Sequence, residues 1–199
     1  MKLFLTSQAN MVLDKIVSMI DKPASQLSVV FIPTAGNPYG EDKPWMDADR
    51  DKLDELGFKV MDFDIDGKSE DDVREKLSEA DVIFVAGGNA FYLLEKMRNS
   101  GTDKVINELK GSDKIYIGSS AGSCIAGPDI ESLAAFDDPS KAQLKSSKAL
   151  GLVDFVVLPH AGKDKYAPIQ GKILKDFSDK YKIIQITDTE MLDKNGDKY

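Results

Sequence analysis

Val82-Ile83-Phe84-Val85 has no polar position on either face. A strand with one wet face alternates apolar and polar residues, whereas one that is apolar throughout must be covered on both sides, as in a parallel sheet. Such a strand obliges the chain to supply helices for two faces. Further apolar runs at 3–5, 29–32, 58–63, 115–117, 152–158 and 183–186 read as strands. Helical spacing lies between them: Met11, Val12, Ile16, Met19 and Ile20; residues 44–56 with Gly57 as a stop; Val73, Leu77 and Ala80; Phe91, Leu94 and Met97; Val105, Ile106 and Leu109; and residues 169–177. Ser69-Glu70-Asp71-Asp72 opens one helix as a capping box with Asp in place of Glu. The alternation predicts an α/β fold with one doubly wound, mostly parallel sheet and helices on both faces. No linker, repeat or low-complexity stretch divides residues 1–199, so a single domain is expected. Residues 33–38 form a breaker-rich loop, and residues 128–149 carry too weak a pattern for anything but a long irregular segment. Asn195-Gly196 predicts a two-residue hairpin whose second strand is cut short.

In such sheets the site lies beyond the carboxyl ends of the strands. Three segments fall there: Gly87-Gly88-Asn89, Gly118-Ser119-Ser120-Ala121-Gly122, and Pro159-His160. The second matches G-x-S-x-G between an apolar strand and a helix start. A sharp strand-to-helix turn lifts the central hydroxyl above the sheet, and small neighbours relieve the crowding. Ser120 is therefore the candidate nucleophile, with an ordinary Gly-rich turn as the alternative. A serine needs a base within hydrogen-bond reach, and His160 is the only histidine. Gly87-Gly88-Asn89 reads as a phosphate-binding turn, a plain strand–helix turn, or a source of a second oxyanion N–H. The fuller G-x-G-x-x-G and the P-loop Lys are absent.

Composition excludes several classes. A net charge of −8 argues against nonspecific nucleic-acid binding. One cysteine, Cys124, allows no internal disulfide, and with a single His it allows no zinc site of the Cys/His type. Cys124 lies inside the helix start, where a small buried apolar role is expected. Asp62 to Gly67 resembles the start of a calcium loop, but the twelfth position is Val73 rather than the bidentate Glu, so no calcium site is expected. The first residues do not read as a signal peptide, and no run approaches a membrane span. A cytoplasmic protein with no metal, cofactor, nucleic-acid or membrane partner is the expectation.

Gly-Gly-Asn, Gly-x-Ser-Ala-Gly and Pro-His, in this order over nearly the whole chain, resemble the peptidase E family of serine peptidases, relatives of the cyanophycinases. The resemblance implies a fold like that of class I glutamine amidotransferase domains, with serine in place of their cysteine. It implies hydrolysis after an N-terminal aspartyl residue in a very short peptide. By it Ser120 is nucleophile, His160 is base, and the N–H groups of Gly88 and Ala121 form the oxyanion hole. Its third member is a glutamate near the C-terminus. Here that stretch reads Thr187-Asp188-Thr189-Glu190, and Asp188 falls at the position. Asp is one methylene shorter than Glu, which favours a longer or water-bridged contact, and an extended segment would aim Asp188 and Glu190 at the same face. Asn89 and Lys163 are candidate substrate contacts. An aspartyl side chain wants a cation, and Lys163 and Lys165 lie nearer His160 than Arg50, Arg74 or Arg98, which sit on predicted helices. An esterase or amidase with the same apparatus, or a non-catalytic binding protein of the same fold, remains the rival reading. A homodimer is allowed.

Overall fold

The computed structural model describes residues 1–199. The chain runs β1 (Lys2–Thr6), α1 (Leu13–Ser18), β2 (Ser28–Ile32), α2 (Pro44–Glu55), β3 (Lys59–Asp62), α3 (Glu70–Glu79), β4 (Val82–Val85), α4 (Ala90–Ser100), α5 (Thr102–Glu108), β5 (Ile115–Ser119), α6 (Ala121–Cys124), β6 (Val156–Leu158), α7 (Ala167–Phe177), β7 (Ile183–Gln185) and β8 (Met191–Leu192). Six strands form the central sheet in the order β3-β2-β4-β5-β1-β8. All neighbours are parallel except β8, which runs antiparallel to β1 at the edge.

The period of two explains the two-sided core. Leu5, Val30, Ile83, Val85 and Tyr116 face one hydrophobic cluster, while Phe4, Phe31, Val82, Phe84, Ile115 and Ile117 face the other. On the second face the rings of Phe31 and Phe84 stack at 5.0 Å. The register places Val85 opposite Gly118, and Gly118 opposite Leu5. The ends of β4, β5 and β1 are therefore level, so Ser7, Gly87-Gly88 and Ser120 emerge at one edge.

β6 and β7 stand apart from this sheet and pair in parallel with each other. β6 is also shorter than residues 152–158. The N–H groups of Leu150, Gly151 and Leu152 bond the carbonyls of Ile125, Gly127 and Ala126, so the chain before Phe155 is tied to the end of α6. Residues 34–39 wind into a 3-10 helix rather than an irregular loop. The capping box forms with both bonds, Asp72 N–H to Ser69 Oγ at 3.2 Å and Ser69 N–H to Asp72 Oδ2 at 3.0 Å.

The terminal hairpin differs from its expectation. Only Gly196 has positive φ, at 84°; Asn195 does not. Gly196 N–H bonds Asp193 O, and Asp193 N–H bonds Asp197 O, so the loop has three residues with the glycine left-handed. Met191 and Tyr199 exchange both backbone bonds, giving the second arm a short pairing.

Residues 128–149 are pinned at their ends by the Asp129–Lys148 bridge and contain two short 3-10 turns. No helix is long and apolar enough to cross a membrane.

Candidate active site

Ser120 has φ 47° and ψ −107°, a conformation that costs a non-glycine residue about 1–3 kcal/mol and persists only when its surroundings impose it. Close packing imposes it. A Cβ on Gly118 would lie 2.6 Å from the Gly122 carbonyl carbon, and one on Gly122 would lie 2.0 Å from Val85 O. Only glycines let the turn approach β4 so closely. Ser123 is buried beneath it. Its hydroxyl lies 2.7 Å from the carbonyls of Thr6 and Gly118 and accepts the Thr6 N–H at 2.7 Å. Ser120 N–H bonds Thr6 O at 3.0 Å. Ser120 thereby lines a cleft of about 410 Å3.

His160 leaves β6 with φ 64°. Its N–H donates to Ser7 Oγ at 2.8 Å, and Ala161 N–H donates to Ile186 O at 2.9 Å. These ties set the ring with Nε2 3.1 Å from Ser120 Oγ and Nδ1 2.7 Å from Asp188 Oδ1. The Tyr166 ring stacks on the imidazole at 5.2 Å. Burial lowers the His160 pKa below its ordinary value, and the nearby Lys163 and Lys165 charges act in the same direction; Asp188 only partly offsets this.

Asp188, not Glu190, reaches His160. Residues 187–190 turn rather than extend, with Glu190 N–H bonded to Thr187 O, so the two carboxylates do not share a face. Glu190 instead accepts the Thr187 N–H at 2.7 Å and pairs with Lys198 at 3.2 Å. The shorter Asp makes a direct contact because Ile186 N–H bonds Leu158 O, which draws this turn against the end of β6. Burial alone would raise the Asp188 pKa; Lys163, Ser7 and His160 together outweigh it and hold the carboxyl below its ordinary value. Ser7 donates its proton to Asp188 Oδ1 at 2.6 Å, and Lys163 pairs with Oδ2. Ser7 escaped the sequence reading; its one signal was its place just past the end of β1, beside β5.

The remaining candidates fall as follows. The N–H groups of Gly88 and Ala121 bond no backbone or side-chain acceptor, and both residues line the cleft beside Ser120. Gly88 has φ 150°, and a Cβ there would meet Ala35 O at 2.1 Å. Asn89, expected as a substrate contact, is 1% exposed and occupied: its Oδ1 caps α4 by accepting Tyr92 N–H at 2.9 Å, and its Nδ2 donates to Asp138 O at 3.0 Å. Lys163 lines the cleft, but its ammonium is taken by Asp188. Lys165 also lines it and stands 4.5 Å from the Tyr166 ring centroid with no carboxylate partner. None of the arginines is there: Arg50 pairs with Asp54 and Asp62, Arg74 with Glu70 and Glu108, and Arg98 bonds the carbonyls of Ser146 and Lys148. Burial pushes the Cys124 thiol up, and its Sγ lies 3.4 Å from Val157 O, so it is no ready thiolate. Asp62, Asp64 and Asp66 diverge to separate partners, Arg50, Thr34 with Asn37, and Tyr92 with Lys96.

Comparison with known proteins gives the family. The family model described as peptidase family S51 matches residues 3–199. An uncharacterized peptidase of Listeria innocua is 37% identical over 83% of this chain and 79% of its own length. A peptidase E of Shewanella amazonensis is 38% identical over 66% of this chain and 52% of its own. The crystal structure of a candidate peptidase E protein from Listeria monocytogenes superposes with a TM-score of 0.90 at 34% identity, covering 100% of this chain and 96% of that one. A peptidase from an acI-B1 actinobacterium, at 21% identity and TM-score 0.71, shares the fold. The chain belongs to peptidase family S51, the serine peptidases of the peptidase E type.

Proposed function

We propose that this peptidase hydrolyses very short peptides after an N-terminal aspartyl residue, through an acyl-enzyme on Ser120. The observation that carries the reading is the unbroken line from Ser120 Oγ to His160 Nε2 and from His160 Nδ1 to Asp188 Oδ1. Ser120 Oγ attacks the scissile carbonyl while His160 Nε2 takes its proton. Asp188 holds Nδ1–H, fixing the tautomer and stabilising the imidazolium. The unengaged N–H groups of Gly88 and Ala121 receive the developing oxyanion. The tetrahedral intermediate collapses as His160 gives its proton to the leaving amine. Water, activated by the same imidazole, then releases the acid. Lys165 is the free cation available for an aspartyl side chain, since Lys163 serves Asp188. A lone buried thiol suits the reducing cytoplasm.

The test is a panel of dipeptides with varied N-terminal residues, run on the wild type and on Lys165→Met. The expected result is highest kcat/KM for aspartyl dipeptides, with Lys165→Met losing roughly tenfold on these, through KM, and little on alanyl ones. An aspartyl preference untouched by Lys165→Met removes that assignment; a wild type indifferent to the N-terminal residue removes the substrate class.

The pH dependence has a definite sign. His160 works as a base only when neutral, and its pKa lies below the ordinary value near 6.5. The acid limb of kcat/KM should therefore have its midpoint below about 6.5, with the rate constant through neutrality. A midpoint above 7 would contradict a buried histidine base.

Gly88→Ala should lower kcat by roughly 10²–10³, because its Cβ cannot coexist with the Ala35 carbonyl unless the Gly88 N–H moves. Near wild-type turnover would show that this N–H does not hold the oxyanion.

A further inference from the structure

Asp137 lies in the irregular segment, lines the same cleft as Ser120, and takes no part in the line to Asp188. Its Oδ2 accepts the Ala90 N–H at 2.8 Å, while its Oδ1 has no protein partner and no cation stands within salt-bridge distance. Burial, only partly offset by that one bond, raises its pKa to about 6. A half-buried carboxylate with one hydrogen bond and no counter-ion is well disposed to accept a cation from a ligand. Asp49, the fully buried carboxyl of the cleft, is a weaker candidate: it accepts the Asn10 N–H at 2.8 Å, is bonded by Ser119, and is only 2% exposed.

We propose that Asp137 binds the substrate's primary ammonium, so that the cleft reads a free N-terminus. This rests on the functional reading above. Asp137 hangs from the N–H of Ala90, and the Cα atoms of Ala90 and Gly88, two residues apart, are at most about 7 Å from each other. A carbonyl oxygen seated on the Gly88 N–H has the α-nitrogen of the same residue only a few bonds away. An ammonium there is within reach of Asp137, and Phe136 and Tyr39 line the same cleft. The cleft is then polarised, with Asp137 for the ammonium and Lys165 for an acidic side chain.

The test measures binding, so that it does not depend on turnover. The inactive Ser120→Ala protein and its Ser120→Ala/Asp137→Asn counterpart are titrated calorimetrically with aspartyl-leucine, N-acetyl-aspartyl-leucine and Nα-acetyl-lysyl-leucine. Asparagine still accepts the Ala90 N–H, so the local fold is kept, and an unchanged melting temperature checks this. The free dipeptide should bind Ser120→Ala roughly tenfold to a hundredfold more tightly than its acetylated form, and the double variant should erase that gap. Equal binding of the two aspartyl peptides, or a gap that survives Asp137→Asn, overturns the proposal. Tight binding of the acetylated lysyl peptide that depends on Asp137 also overturns it, because the ammonium read would then be a side chain. Wild-type protein that binds aspartyl-leucine through Asp137 yet never cleaves it would sink the aspartyl-peptide reading while leaving the subsite standing.

Discussion

Ser120→Ala should lower kcat by roughly 10⁴-fold or more while the protein stays folded. The substitution removes only Oγ, whose one hydrogen-bond partner is His160 Nε2 at 3.1 Å. The backbone at this position is held by other groups: Ser120 N–H on Thr6 O, Ser123 bridging β1 and β5, and the glycine contacts around the turn. Circular dichroism and thermal melting should therefore match the wild type. Residual hydrolysis would come from the oxyanion donors and substrate binding. Cys124→Ala is the control. Its thiol is buried and poorly ionised, and activity should survive its loss. Activity lost with Cys124→Ala and kept with Ser120→Ala would reverse the assignment of the nucleophile.

Asp188→Asn should lower kcat by roughly 10³–10⁴ with little change in KM. Shape is retained, so the cause is the proton's position. Ser7 donates to Oδ1, and Lys163 pairs with Oδ2. An amide can accept through only one oxygen, so one of these donors loses its partner, or the amide NH₂ turns toward His160. An NH₂ facing Nδ1 makes that nitrogen an acceptor and moves the ring proton to Nε2, where it blocks removal of the Ser120 proton. Glu190→Gln should be nearly silent, because Glu190 serves the turn at Thr187 and Lys198 and does not touch the ring. Wild-type turnover by Asp188→Asn, with loss in Glu190→Gln, would place the orienting group two residues away.

The parts of this molecule that read directly from the sequence are those fixed by local chemistry. A four-residue apolar strand needs two covered faces, and β4 has them. Gly118 to Gly122 could be read because crowding at one turn admits only small residues. Ser69 and Asp72 could be read because both capping bonds span three residues. What the sequence left unread depends on distant partners. Ser7 meets His160 and Asp188 across 153 and 181 positions, and a Thr-Ser step after a strand carries no mark of that. Lys163 stands out in the sequence as a cation just after His160, and Asn89 as the last residue of Gly87-Gly88-Asn89. Asp188 takes the first and the cap of α4 takes the second. Periodicity reports which face is buried but not which polar group waits there, and the pairing of β6 with β7 escaped it for the same reason.

The central claim, that Ser120 is an activated nucleophile, is tested most directly by treating the intact protein with a fluorophosphonate and mapping the adduct by mass spectrometry. One phosphonyl group should appear, on the peptide carrying Gly118 to Gly122 and on Ser120 itself, with labelling lost in Ser120→Ala and slowed in Asp188→Asn. Folded protein that stays unlabelled, or an adduct on Cys124 or another residue, would contradict it.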